Sequence, residues 1–239
     1  MDEGRVAVVT GASSGIGRAI AVALAPAVGQ LCLVGRDESR LADVADEARR
    51  RGARVMPFGL DLTSEQRVRE LGSEVDRQFR GLDILVHAAG IYSRAELSDA
   101  TLDALDAQYQ ANVRAPYQLT QTLLPALVRR QGDVIFLNST QGLSASGGIG
   151  QYAAMQHAMR AIADSLRAEI NPAGVRVITL HLGRTASPLQ ERIHGHEGRA
   201  YEPHMLIQPE DVADLVATVV DLPKRTQVTT MTVWTTRKF

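Results

Sequence analysis

The feature that most constrains this chain is an alternation of two patterns. Short apolar runs rich in β-branched residues recur at Val6–Val9, Leu31–Val34, Arg54–Met56, Asp83–Val86, Val134–Leu137, Val175–Leu180 and Val228–Val233. They are mostly apolar on both faces, the pattern of strands covered on both sides of a parallel sheet. Between them lie segments of helical period. Glu38–Arg51 places Leu41, Val44, Ala45 and Ala48 on one face and ends at Gly52. Similar segments are predicted at Arg18–Ala27, at Ser64–Phe79 with Ser64 as N-cap, and at Leu102–Arg130 with bends at Pro116 and Pro125. Two more follow at Tyr152–Ile170, stopped by Asn171-Pro172, and at Asp211–Leu222, after Pro209. The order βαβαβαβαβαβαβ with right-handed crossovers gives a doubly wound α/β fold. It predicts a parallel sheet of about seven strands with helices on both faces.

The chain has 239 residues. With no linker or repeat in the sequence, that length points to one domain over 1–239, on a prior of roughly 100–200 residues per domain. Basic and acidic residues nearly cancel, 26 against 27, so no strong field draws nucleic acid or an anionic membrane. The longest apolar stretch, Ala19–Val28, is broken by Pro26 and falls well short of the roughly 20 residues that span a bilayer. Residues 1–10 carry no signal-peptide pattern, so the expected location is the cytoplasm. Cys32 stands alone, which excludes an internal disulfide and a multi-cysteine zinc site.

After the first run comes Thr10-Gly11-Ala12-Ser13-Ser14-Gly15-Ile16-Gly17-Arg18. Glycines allow a sharp turn and let a pyrophosphate approach the backbone closely. The helix beginning near Gly15 then offers free N–H groups and its positive end. A plain tight βα turn would use the same residues. The position in the first βα unit is what points to a dinucleotide.

The turn from Thr10 to Gly17 resembles the TGxxxGxG turn of the short-chain dehydrogenases/reductases, and the resemblance runs along essentially the whole chain. It implies a Rossmann-like fold and an NAD(P)-dependent oxidoreductase of small molecules, assembled as a homodimer or homotetramer. It assigns Gly11, Ser13, Ser14, Gly15, Ile16 and Gly17 to the cofactor. Asp61-Leu62 is similar to the pair placed against adenine. His87-Ala88-Ala89-Gly90 is similar to the NNAG motif, with both asparagines replaced, and puts Ala88, Ala89 and Gly90 beside the cofactor. Asn112, Ser139 and Tyr152 match three members of the catalytic tetrad, Tyr152 lying 13 residues after Ser139. Ser187 falls at a threonine that contacts the nicotinamide carboxamide. The expected interface is formed by the helices of Leu102–Arg130 and Tyr152–Ile170.

The second run ends Val34-Gly35-Arg36-Asp37, where a Rossmann unit meets the adenosine ribose. Arg36 is placed to pair with a 2′-phosphate, which predicts NADP(H). Asp37 would oppose that phosphate, yet it also suits the N-cap of the next helix.

The fourth tetrad position departs from the family. The helix reads Tyr152-Ala-Ala-Met-Gln156, with Gln156 where a lysine is expected. A cation one turn from the phenol lowers its pKa, and glutamine brings no charge. Met155 and Leu182-Gly183 also depart from the usual Ser/Thr and Pro-Gly. Such a cluster suits natural divergence better than a single engineered knock-out. Two readings of Ser139 and Tyr152 stay open, working groups or retained scaffold.

The stretch Arg184–Gln208 is predicted as a loop that covers the substrate. It could clamp an anionic substrate through Arg184 or Arg199, hold a metal at His194, His196 and His204, or be a solvated lid. The last is the expectation, and no metal is predicted. Three activities fit: an NADP(H)-dependent carbonyl or imine reductase or alcohol dehydrogenase with a reworked proton site, a cofactor-bound scaffold without turnover, and a non-redox isomerase or lyase.

Overall fold

The structure, a computed structural model, describes residues 4–236. Seven strands form one parallel sheet in the order β3-β2-β1-β4-β5-β6-β7. They are β1 (Val6–Thr10), β2 (Gln30–Gly35), β3 (Arg54–Gly59), β4 (Ile84–His87), β5 (Asp133–Ser139), β6 (Arg176–Leu182) and β7 (Thr230–Val233). All seven predicted runs are strands, and the predicted doubly wound topology is present. Alternate residues feed two cores. Ala7, Val9, Leu31, Leu33, Ile178 and Leu180 pack under α1 (Gly15–Leu24), α2 (Glu38–Arg50) and α8 (Pro209–Asp221). Val6, Val8, Cys32, Val34, Val134 and Val177 pack under α3 (Glu65–Phe79), α5 (Ala115–Arg130) and α6 (Gly150–Ile170). Cys32 is fully enclosed there, and burial pushes its thiol pKa up.

Four sequence expectations need correction. The third strand does not stop at Met56 but runs through Pro57 to Gly59. β3 pairs only with β2, so a residue without an N–H is tolerated on its free edge. β3 and β7, the two edge strands, are also partly exposed rather than covered on both faces.

The long segment 102–130 is divided, but not at its prolines. α4 (Leu102–Tyr109) passes into a π turn over Gln110–Arg114 and then into α5. Pro116 has no N–H for the carbonyl four residues back, that of Asn112, and its ring would crowd that group. The wider turn just before it resolves the conflict. Pro125 lies inside α5 without interrupting it.

The stretch 184–208 is not simply a loop. It contains α7 (Pro188–His196) and a short turn at Pro203–Met205. Ser187 caps α7 by accepting from the Gln190 N–H, and Pro188 occupies the first helical position. Ser64 and Asp37 cap α3 and α2 in the same way. Among the described residues, no helix is long and apolar enough to cross a membrane.

The end of the sheet away from the glycine turn is tied by one buried ion pair. Arg176 at the start of β6 meets Asp133 at the start of β5 through two hydrogen bonds of 2.6 and 2.7 Å. Their side chains are 5% and 3% exposed, so both charges depend on each other for solvation. Arg176 also donates to the carbonyls of Leu222 and Thr226, and Lys224 adds a 3.1 Å contact to Asp133. Arg176→Ala, which leaves Asp133 buried with one partly exposed cation, is expected to cost about 3–5 kcal/mol. Chemical denaturation checks this, and the double change Arg176→Leu, Asp133→Leu should cost less than the single one.

Candidate active site

The parallel arrangement brings the carboxyl ends of all strands to one edge, and the predicted site residues collect there. On the β1 side is the glycine turn. Gly11 adopts φ +64°, and a Cβ on it would stand 2.8 Å from the carbonyl oxygen of Ala88. A Cβ on Gly17 would lie 2.3 Å from the carbonyl oxygen of Gly11. The turn is therefore packed backbone on backbone, and no larger residue fits at either position. Thr10 secures it. Its hydroxyl donates to the Val86 carbonyl at 3.2 Å and accepts from the N–H groups of Ala88 and Ala89 at 3.0 and 3.2 Å. The first turn of α1 carries no acidic residue, and the Ser14 side chain makes no capping bond. The free amides thus face an approach that glycine keeps open, which fits a diphosphate.

Gly35 and Arg36 follow at the end of β2, and Asp61 and Leu62 lie just past β3. Arg36 makes no ion pair or hydrogen bond among the described residues, and it is exposed. Asp37, by contrast, is engaged. Its carboxylate accepts from the Arg40 N–H at 3.0 Å and pairs with the Arg40 side chain at 3.2 Å. The Asp61 carboxylate accepts from the N–H and the hydroxyl of Thr63, both at 2.9 Å.

On the other side of β1 lies a cavity of about 210 Å³. It is lined by Ile16, Ala88, Ala89, Gly90, Asn112, Ser139, Tyr152, Gln156 and Ser187 among others. The lining therefore includes all four predicted catalytic positions. Among the described residues, no Asp, Glu, Lys or Arg lines it.

Tyr152 and Gln156 sit one turn apart on α6, and Gln156 Nε2 donates to the Tyr152 hydroxyl at 3.0 Å. The Tyr152 ring also meets Tyr92 edge to face, with centroids 5.0 Å apart. Burial pushes the Tyr152 phenol up to about 12, against smaller downward contributions from hydrogen bonds with Ser139 and Gln156. No replacement cation serves it. His157 is turned onto the helix, its Nδ1 2.9 Å from the Ala153 carbonyl, and Arg160 pairs with Asp164 at 3.9 Å.

Ser139 is held from three directions. Its N–H donates to Asn138 Oδ1 at 2.6 Å, its carbonyl lies 3.2 Å from His181 Nδ1, and its Oγ accepts from the Gln141 N–H at 3.1 Å. Asn138 Nδ2 donates in turn to the Gln156 carbonyl at 2.9 Å, which locks the end of β5 to the middle of α6. Asn112 clamps the backbone of Ile91, accepting from its N–H and donating to its carbonyl, both at 2.8 Å. The histidine in place of the first asparagine of the NNAG pattern, His87, stacks on Phe136 and bonds Thr120 Oγ1 at 2.9 Å. Burial lowers its pKa to about 3, so the ring stays neutral.

The lid behaves differently from its sequence. Ser187 lines the cavity as expected, but its hydroxyl caps α7 and donates to the Thr185 carbonyl at 3.3 Å, while its N–H donates to the Tyr201 hydroxyl at 3.1 Å. His194 is buried against Gln190 and Tyr201. Among the described residues, no group of three or more His, Cys, Asp or Glu is placed to hold a metal ion. Arg184 and Arg199 do not stand free for a substrate: both pair with Glu197, at 2.8 and 3.7 Å. Thr10, Tyr92, Asn138 and Glu197 are the site residues that sequence reasoning passed over. Only Thr10 carried a signal, through its place in the glycine turn.

A sequence profile of the short chain dehydrogenase family matches residues 5–198. A short-chain type dehydrogenase/reductase of Sinorhizobium fredii is 33% identical over 243 residues, covering 99% of this chain and 93% of that protein. An oxidoreductase of Staphylococcus saprophyticus is 30% identical, covering 96% of each. Among solved structures, the alcohol dehydrogenase of Thermococcus sibiricus complexed with 5-hydroxy-NADP superimposes with a TM-score of 0.89 at 26% identity, covering 98% of both chains. A short chain dehydrogenase of Burkholderia cenocepacia in complex with NADP gives 0.85 at 30% identity, covering 95% of this chain and 96% of that one. The chain belongs to the short-chain dehydrogenase/reductase family.

Proposed function

We propose that this protein is an NADP(H)-dependent oxidoreductase acting between a carbonyl or imine and the corresponding alcohol or amine, and that it works best as a reductase. One observation carries the reading: Tyr152 is a half-buried, neutral phenol bonded to Gln156, with no cation beside it among the described residues. When bound, the nicotinamide supplies or accepts the hydride. Tyr152 supplies the proton to the developing alkoxide, and Ser139 hydrogen-bonds the same oxygen. Asn112 would hold a proton-relay water, as the family resemblance implies.

The preference for NADP(H) is supported by the free Arg36, by the engagement of Asp37 with Arg40, and by the NADP bound in similar proteins. The glycine turn would hold the diphosphate, and Asp61-Leu62 would flank the adenine. Arg36→Ala is expected to weaken NADPH binding roughly 10- to 150-fold, the range of one charge-assisted hydrogen bond, and to leave NADH binding unchanged. Fluorescence titration of both cofactors reads this directly, and equal losses for the two would remove the assignment.

We also propose a homodimer or homotetramer built on the helices of 102–130 and 150–170. Tyr117 and Val128 support it, lying three turns apart on one face of α5 and exposed at 47% and 39%. Light scattering at micromolar concentration should give a mass of two or four times 25.8 kDa.

The direction of reaction follows from the phenol. Its folded pKa is raised, so the proton is held throughout the neutral range and lost only as pH rises toward about 12. Reduction uses the protonated form and should be nearly flat with pH in this respect. Oxidation uses the phenolate and should climb about tenfold per pH unit from neutrality upward. Gln156→Lys should bring that rise to lower pH and speed oxidation near pH 7. Tyr152→Phe should remove a factor of about 100 or more in both directions. Initial rates across pH for the three proteins decide the matter. Full activity in Tyr152→Phe would exclude Tyr152 as the acid. NADPH binding without turnover of any carbonyl would identify a regulatory protein instead.

A further inference from the structure

Among the described residues, the cavity wall contains no formally charged one, although arginines stand directly beside it. Arg184 lies between Gly183 and Thr185, both of which line the cavity, and Arg94 lies two residues past Tyr92, which does so as well. Apolar groups from the same two segments and the lid complete the wall, including Ile91, Leu189 and Ile193. Both arginines are paired with Glu197, and Arg94 also hydrogen-bonds the Tyr92 side chain. Glu197, the residue that ends α7, receives Arg94 at 3.0 Å, Arg184 at 2.8 and 2.9 Å, and Arg199 at 3.7 Å. Its side chain is only 8% exposed, so three guanidinium groups enclose one carboxylate. A second carboxylate, that of Glu96, flanks Arg94. A Cβ placed on Gly148 would lie 3.1 Å from Glu96 Oε1 and 3.2 Å from Arg94 Nη2. Arg184 Nη1 remains buried without a partner, so the guanidinium keeps unused donor capacity next to the cavity.

We infer that Glu197 is a specificity-determining residue: it draws Arg94 and Arg184 off the cavity, so the site takes neutral carbonyl compounds with apolar substituents and discriminates against oxo acids. The inference rests on the reductase reading above. A carboxylate entering this cavity loses its water and meets no unpaired cation, an unfavourable exchange for a charged group. A phenyl or alkyl group meets Ile91, Leu189, Ile193 and the ring of Tyr92, and gains by burial. The chain that forms the lid therefore also supplies the carboxylate that holds these three arginines, although their positive charge exceeds its own.

A matched pair of probes tests this: acetophenone and phenylglyoxylate, which differ only in a methyl group against a carboxylate. With NADPH and the full chain, the wild type should show a higher kcat/KM for acetophenone. It should also bind acetophenone more tightly in the NADP⁺-loaded form by calorimetry. Glu197→Gln leaves the arginines with no carboxylate on that side, able to pair an incoming one. It should shift the ratio toward phenylglyoxylate by about tenfold or more, the factor carried by one charge-assisted hydrogen bond, mainly through KM and Kd. Adding Arg184→Gln to Glu197→Gln should return the ratio toward the wild-type value, which a merely structural role of Glu197 would not produce. Equal handling of the two probes by the wild type, binding of neither, or an unchanged ratio in a folded Glu197→Gln protein would overturn the inference. The wild-type ratio needs no variant, so a variant that fails to fold does not shield the claim. Selective binding of acetophenone with no reduction would remove the reductase reading and leave the inference about the cavity standing.

Discussion

The carboxyl edge of the sheet depends on one close contact, the meeting of the β1 turn with the β4 turn. Gly11 approaches Ala88 so nearly that a Cβ would overlap the Ala88 backbone, and the Thr10 hydroxyl ties Val86, Ala88 and Ala89 to the same turn. A buried hydroxyl with three backbone partners is costly to remove, because each partner would then lack a hydrogen bond. The contact fixes the distance between the part of the site shaped for a diphosphate and the part that holds the cavity. The glycine turn and the ends of β2 and β3 then lie on one side of this contact, and most of the cavity-lining residues, from His87 onward, on the other. The strand order, with β1 between β2 and β4, makes this division unavoidable.

Within the reactive half, polar groups are bonded to one another before any ligand arrives. Asn138 links Ser139 to the Gln156 carbonyl, His181 meets the carbonyl of Ser139, and Asn112 grips Ile91 on both backbone groups. Groups held in this way need little reorganisation when charge develops on a reacting oxygen. The exchange of a lysine for Gln156 fits the same economy. A neutral carboxamide can be buried against a phenol with its hydrogen bond intact, whereas an ammonium there would need a counter-charge or water.

The sequence displayed the fold clearly because both its signals are local. Apolar runs mark strands covered on both faces, and the caps Asp37 and Ser64 each bond the helix that follows them, whereas the helix capped by Ser187 was not foreseen. It failed where a neighbour overrides a local rule. Pro57 reads as a strand end until its edge position is known. Pro116 reads as a kink, yet the chain deforms over the turn before it. The candidate catalytic residues were legible through a short fixed spacing, while Tyr92 and Asn138 were not. Their contacts span tens of residues or run to backbone atoms, and no periodicity records such contacts. Arg184 and Arg199 show the same limit in reverse. Their chemistry was visible, but their partner Glu197 was not, and the partner decides what they do.

The lid and the proton site are thereby joined by a common electrostatic condition. Burial holds the Tyr152 phenol protonated against smaller contributions from Ser139 and Gln156, and burial likewise keeps the His87 ring neutral. A free guanidinium at the rim would lower the cost of ionising that phenol, since an opposite charge nearby stabilises the phenolate even through several ångströms of low dielectric. Glu197 limits this by pairing all three arginines. Cavity neutrality thus serves two ends at once, the retention of a proton for delivery to a carbonyl oxygen and the exclusion of charged competitors. Gln156 and Glu197, far apart in sequence and unlike in chemistry, are two parts of the same arrangement.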